Sequence, residues 1–242
     1  MQLPLELRWD RRADLADFVP GANAEAWALV EAAAAGTRRV EPVYLHGPSG
    51  AGKSHLLQGA CSRLAAAGGA VAYLPLGSLE EHGPGMLEGL EAVRLLAVDD
   101  LERIAGRPEW EHAFFHLFNR SMETGAAIIM AARRPPAALG VGLPDLVSRL
   151  GWGLVVRVHP PDDEVRLAVL RRRAGQAGLD LPEPAARYLL THCRRDLLHL
   201  LELLDRLDAA SLARSRRLTV PFIREVLGEP DEPKGGHTKP PP

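Results

Sequence analysis

Residues Gly47 to Ser54 read Gly-Pro-Ser-Gly-Ala-Gly-Lys-Ser. This is a complete G-x-x-x-x-G-K-[ST] phosphate loop. The apolar run Val43-Tyr44-Leu45 precedes it, and a helix-compatible run from His55 to Ala67 follows. A strand, a glycine loop and a helix in that order are what the motif needs to work. Glycines let the backbone wrap closely around phosphate oxygens, where a Cβ would block the approach. The first N–H groups of the helix point at the anion, and the helix dipole favours negative charge there. Pro48, Gly50, Ala51, Gly52, Lys53, Ser54 and His55 are therefore the candidate nucleotide contacts. Lys53 would reach the terminal phosphates, and the Ser54 hydroxyl would ligate Mg²⁺. The ligand expected is a purine nucleoside triphosphate or diphosphate, ATP or ADP, with Mg²⁺.

A phosphate loop constrains the fold around it. Val43–Leu45, Ala70–Leu74, Leu95–Val98, Ala126–Met130 and Leu154–Val158 are short apolar stretches that fit buried parallel strands. Segments of helical spacing, such as Glu109 to Glu123, lie between them. The alternation predicts an α/β fold: an open parallel sheet of five strands, flanked by helices on both faces. In such sheets the ligand sits outside the carboxyl ends of the strands. At His159-Pro160-Pro161 the character changes. Asp162–Ala174, Pro184–Cys193, Arg195–Leu212 and Val220–Leu227 read as helices, with Asp162 capping the first. Thr219-Val220-Pro221 reads as a cap followed by proline in the first turn. The expected organisation is an α/β domain over residues 15–160, a small all-α domain over 161–228, and a disordered tail over 229–242, rich in Pro, Gly and charge.

Val93 to Asp100 ends an apolar strand in two adjacent acids. This is the Walker B arrangement. Asp99 would hold Mg²⁺, directly or through water, and Asp100 would orient or deprotonate an attacking water. Ser148-Arg149-Leu150-Gly151-Trp152-Gly153 is the next landmark. An arginine there is either structural or a finger that stabilises charge on a neighbouring subunit's γ-phosphate. Arg195, at the start of the third expected helix of the small domain, is placed to sense phosphates.

Other chemistry finds little support. The chain of 242 residues carries a formal net charge of −2, which sets up no global positive field for nucleic acid or membrane. Arg171-Arg172-Arg173 and the group Arg214, Arg216, Arg217 read as solvated helix faces in preference to a DNA site. Cys61 and Cys193 lie in apolar helical patterns without metal-ligand spacing or a disulfide framework. The nine histidines show no ligand spacing either. No secretion signal is recognisable and no run approaches the length of a membrane span, so a cytoplasmic location is expected.

Taken together, several motifs resemble the DnaA-type branch of the AAA+ ATPases. They are Phe18-Val19-Pro20-Gly21-Ala22-Asn23, the loop Gly47–His55, the acids Leu96–Leu101 and Phe114-Phe115-His116-Leu117-Phe118-Asn119, with Arg134-Pro135-Pro136 and the Arg149 run. The resemblance spans about residues 15 to 228. It implies that the small domain is a helical lid, with the nucleotide between the two domains and Val19 near the adenine. Full initiators of this branch carry a C-terminal helix-turn-helix domain, in whose place this chain has the proline-rich tail. Residues 1–14 open with Gln2-Leu3-Pro4-Leu5-Glu6-Leu7, which resembles the short peptide that binds the bacterial DNA polymerase III sliding clamp, its beta subunit. Physically it is an extended peptide whose leucines can fill apolar pockets while the glutamine amide fixes register.

The combination is similar to the regulatory inactivators of DnaA within that branch. The resemblance implies clamp binding by Gln2, Leu3, Leu5 and Leu7, finger duty for Arg149 and phosphate sensing by Arg195. It implies DnaA as partner, DNA reached only through the clamp, no membrane, and room for a homodimer. The rival reading is a self-assembling DnaA-like ATPase that remodels DNA or loads a helicase. One departure bears on the choice. The family's polar sensor at the end of the fourth strand is matched here by Met130-Ala131-Ala132-Arg133-Arg134, and alanines cannot orient water. Weak intrinsic hydrolysis is the expectation.

Overall fold

The structure, a computed structural model, describes residues 13–35, 41–79, 82–214 and 216–228. The clamp-type peptide and the tail both lie outside these. The chain divides into two compact units, residues 1–162 and 163–242, each with its own core.

In the first unit the described residues form a five-stranded parallel sheet: β1 (Val43–His46), β2 (Val71–Pro75), β3 (Leu95–Asp99), β4 (Ala127–Ala132) and β5 (Leu154–Arg157). The spatial order is β2-β3-β4-β1-β5. Alternation along each strand decides which face a side chain serves. Val43, Leu45, Ala97, Ile129 and Ala131 pack with α1 (Ala24–Ala34) and α2 (Lys53–Ala66) on one side. Tyr44, Leu96, Val98, Met130 and Ala132 pack on the other, with Trp110, Phe114, Leu117 and Phe118 of α4 (Pro108–Thr124) and with Leu146 and Leu150 of α5 (Pro144–Leu150). The four-residue α3 (Leu76–Leu79) continues directly from β2. Helix α4 starts on a proline in its first turn and ends on Gly125 at φ +75°, a left-handed stop that residues with a Cβ resist.

The expectation of five buried strands fails at one of them. In β5, Leu154 and Val155 are 37% and 40% exposed. Among the described residues β5 is an edge paired with β1 alone, but the opposite edge, β2, is buried along its three central residues, so edge position by itself does not expose a strand.

The second unit is a helical bundle of α6 (Asp163–Gln176), α7 (Glu183–His192), α8 (Leu197–Arg214) and α9 (Val220–Leu227). Leu167, Leu170, Leu189, Leu200, Leu203, Leu207, Phe222 and Ile223 fill its core. Thr219 caps α9 by accepting from the Phe222 N–H, and Pro221 follows in the first turn. Helix α8 starts two residues later than the sequence suggested. Asp196 Oδ1 accepts from the His199 N–H at 3.0 Å, which makes Asp196 the cap and leaves Arg195 in the preceding turn. The basic clusters are largely neutralised locally. Arg214 and Arg216 both pair with Glu225 and lie over the Phe222 ring, while Arg171 and Arg173 pair with Glu183 and Asp205. No helix among the described residues is long and apolar enough to cross a membrane.

Candidate functional site

The phosphate loop leaves the carboxyl end of β1, between β4 and β5. Its first residue is tied to the sheet, because the Gly47 N–H donates to the Ala132 carbonyl at 3.2 Å. Only glycine fits at 47: a Cβ there would lie 2.1 Å from the Val158 carbonyl oxygen. Gly52 caps α2 at φ +96°, with the Phe18 ring against its open face. Helix α2 therefore begins at Lys53, which puts Lys53 and Ser54 in its first turn, where N–H groups lack intrahelical partners.

Lys53 is buried, and its Nζ donates to the carbonyls of Gly47 (2.8 Å) and Pro48 (2.9 Å). An ammonium with three protons keeps a donor to spare. Burial lowers its pKa, while Asp99, Glu102 and Asp100 pull it back up. A buried cation curled onto a glycine loop at a helix N-terminus fits the terminal phosphates of a nucleotide.

Asp99 is the last residue of β3 and is 2% exposed. Its Oδ2 accepts from the Tyr73 hydroxyl at 3.0 Å and its Oδ1 from the Asp100 N–H at 3.0 Å. The Ser54 side chain hydrogen-bonds it as well, so the two candidate metal ligands are adjacent. Burial pushes the Asp99 carboxyl above the usual range, against the hydrogen bonds that favour its charged form. Asp100 holds φ +57° and ψ +44°; among the described residues it alone, apart from glycines, has a positive φ. A Cβ on Gly77 would lie 2.9 Å from Asp100 Oδ2, so its carboxylate packs against the glycine of α3.

Val19 lies in a half-buried link between two short 3₁₀ turns, Leu15–Asp17 and Gly21–Asn23. This link is fastened at both ends. The Phe18 ring stacks on His55 at 6.1 Å. Asn23 donates to the His159 carbonyl (2.9 Å) and accepts from the His159 N–H (2.7 Å).

At the end of β4, Ala131 and Ala132 are buried, and Arg133 turns to Glu102, pairing at 2.9 Å and also donating its N–H. Arg149 occupies the last turn of α5, its guanidinium 4.9 Å from the centre of the exposed Trp152 ring. No ion pair joins it to Asp145 or to any other described residue. The approach to α5 is held from inside. The buried Glu111 carboxylate of α4 accepts from the N–H groups of Gly106 (2.7 Å), Gly142 (3.0 Å) and Leu143 (2.8 Å). Arg195 belongs to the second unit, 66% exposed and 3.8 Å from Asp163.

The structure thus gathers Lys53, Ser54, Asp99 and Asp100 at one end of the sheet, and sets Arg149 on a separate helix. Gln2, Leu3, Leu5 and Leu7 lie outside the described residues. Tyr73, Gln58, Glu102 and Asn23 were missed. For Tyr73 a signal existed, since a phenol inside an otherwise apolar strand needs a partner for its hydroxyl.

Two family models match this chain. The lid domain of Hda matches residues 163–227, and the ATPase domain of bacterial DnaA matches residues 81–157. The chain is a DnaA/Hda-type AAA+ protein. Among solved structures, domain III of the Thermotoga maritima replication initiation protein DnaA shares 23% identity with a TM-score of 0.74, over 89% of this chain and 95% of that one. AMPPCP-bound DnaA from Aquifex aeolicus shares 26% identity with a TM-score of 0.67, over 85% and 69%. The Thermotoga maritima RuvB branch migration motor, at 18% identity and a TM-score of 0.65 over 90% and 72%, shares the fold. For this DnaA/Hda-type protein the α/β unit is the AAA+ core and the four-helix unit is the lid.

Proposed function

We propose that this AAA+ protein is a nucleotide-bound regulator of replication initiation. It tethers itself to the sliding clamp through Gln2, Leu3, Leu5 and Leu7, and it lends Arg149 to the hydrolysis of ATP bound to DnaA. The observation that carries the reading is Arg149 itself. It stands half-buried at a helix end with no carboxylate partner among the described residues, steadied only by an exposed indole. A guanidinium kept so can offset charge that develops on another subunit's γ-phosphate.

In this protein's own site, Lys53 binds the phosphate oxygens, Ser54 and Asp99 hold Mg²⁺, and Val19 borders the adenine. Arg195 reads the phosphates from the lid. Whether the nucleotide is ADP or ATP, Lys53, Ser54 and Asp99 of the α/β unit would hold its phosphates and Mg²⁺. Asp100 is the acid placed for water, but its carboxylate packs against Gly77, and the neighbouring Arg133 is committed to Glu102. Both features favour an adaptor with weak turnover of its own over a self-assembling motor.

The experiment measures turnover of DnaA-bound ATP, with this protein and a DNA-loaded clamp each added or withheld. Hydrolysis accelerated only when both are present is the expected result, with clamp capture lost when Gln2 and Leu3 become alanine. Fast ATP turnover by the isolated chain, without any effect on DnaA, would place it among the motors.

A further inference from the structure

We propose that Tyr73 is a positioning residue for Asp99, and that a hydrogen-bond relay from the phosphate-binding helix sets how this acid meets Mg²⁺. The inference rests on the nucleotide-site reading above.

Tyr73 lies in the middle of β2, beside β3, and is 4% exposed. Its hydroxyl has two partners. Gln58 Nε2 donates to it at 3.1 Å, and it donates to Asp99 Oδ2 at 3.0 Å. The direction of the chain is fixed by chemistry: an amide NH₂ only donates and a carboxylate only accepts, so the phenolic proton points at Asp99. Gln58 stands on α2, the helix that opens with Lys53 and Ser54. One relay therefore links the helix that receives phosphate to the acid that receives the cation.

The relay also determines orientation. The Asp100 N–H holds Oδ1 and Tyr73 holds Oδ2. With both oxygens engaged, rotation of the carboxylate plane is restrained. Hydrogen-bond partners of metal ligands commonly contribute 10- to 100-fold to metal affinity by fixing orientation in this manner. Removing the Tyr73 hydroxyl leaves Asp99 with the Asp100 backbone donor and the Ser54 side chain, and loosens the orientation of the plane.

The test is a Mg²⁺ titration of full-length protein with a fluorescent ADP analogue, run from EDTA-buffered to millimolar metal. Four proteins are compared: parent, Tyr73→Phe, Gln58→Met and Asp99→Asn. In Tyr73→Phe the Mg²⁺ concentration at half-effect should rise about 10-fold, and in Gln58→Met about threefold. Affinity for the analogue in EDTA should stay within about twofold of the parent in both. If Tyr73→Phe does not fold, as judged by melting, Gln58→Met carries the comparison. Parent-like Mg²⁺ midpoints in these variants, with the Mg²⁺ effect lost in Asp99→Asn, would overturn the positioning role and leave the site reading intact. An equal loss of affinity with and without Mg²⁺ would make the role structural and overturn it too. A parent whose affinity ignores Mg²⁺ would remove the site reading and this inference together.

Discussion

The Arg149 guanidinium lies 4.9 Å from the centre of the Trp152 ring, three residues further along the chain, and not in an ion pair with Asp145 one helical turn back. The cation is steadied by a face of π density, which leaves its N–H donors available in a way that a carboxylate would not. Arg149→Ala should cut stimulation of DnaA-bound ATP hydrolysis by on the order of 10³-fold. Melting temperature and clamp binding should stay at parent values, because no ion pair is lost. Lysine should rescue poorly, lacking the planar fork of donors. Single-turnover hydrolysis and melting, measured on one preparation, check this; normal stimulation by the alanine variant would remove the finger.

Lys53→Ala should abolish the melting shift produced by ADP and ATP. In the parent, ligand at about 100 times its Kd adds about 2.7 kcal/mol to stability. The variant loses the ammonium that bridges loop and phosphate, and the Gly47 and Pro48 carbonyls lose their donor. Thermal scans with and without nucleotide are the check, and equal shifts in both proteins would contradict it.

The two thiols should react unequally. Cys61 is fully buried in α2, and burial pushes its pKa up to about 12. Almost no thiolate exists there at pH 8, and the thiolate is the nucleophile. Cys193 is partly exposed at the end of α7. Iodoacetamide on the native protein should label Cys193 first, and Cys61 only after denaturation, as peptide mass mapping would resolve.

His46 ends β1 with its Cα opposite those of Ala132 and Arg157. Burial, then the charges of Arg157 and Lys53, hold its pKa below the ordinary 6.5. The unfolded chain therefore takes up this proton first as pH falls. Stability decreases through the window that opens near 6.5 and closes at the lower folded value, since the unfolded state binds more protons there. His46→Asn should flatten that part of the profile. Denaturant midpoints of parent and variant between pH 7.5 and 5.5 give the comparison, and parallel profiles would count against it.

What could be read from the sequence was local. The phosphate loop, the apolar run into Asp99, and the Thr219 cap each depend on neighbours within a few residues, and each appears where its spacing placed it. That β5 stands at an edge beside β1 follows from strand order, which no window of sequence contains. Arg195 fell outside α8 because Asp196 competes for the cap, a contest between adjacent polar residues that propensity does not resolve. Tyr73 and Asp99 meet because β2 and β3 pair in one register, with Pro75 opposite Asp99. Glu102 and Arg133 meet only because β4 lies beside β3.

Glu111 has a consequence for how this protein can change. Its carboxylate fixes the backbone at Gly142 and Leu143, just ahead of α5, from a position 2% exposed. The station of Arg149 is thereby set by an inward anchor and by Leu146 and Leu150 in the core. Outward residues of the same helix, Asp145 and Ser148, take no part in that placement. On the proposed function, the place of the arginine therefore rests on inward contacts, while Asp145 and Ser148 stand exposed on the same helix. Substitutions at those two exposed positions would leave the anchored backbone ahead of α5 as it is.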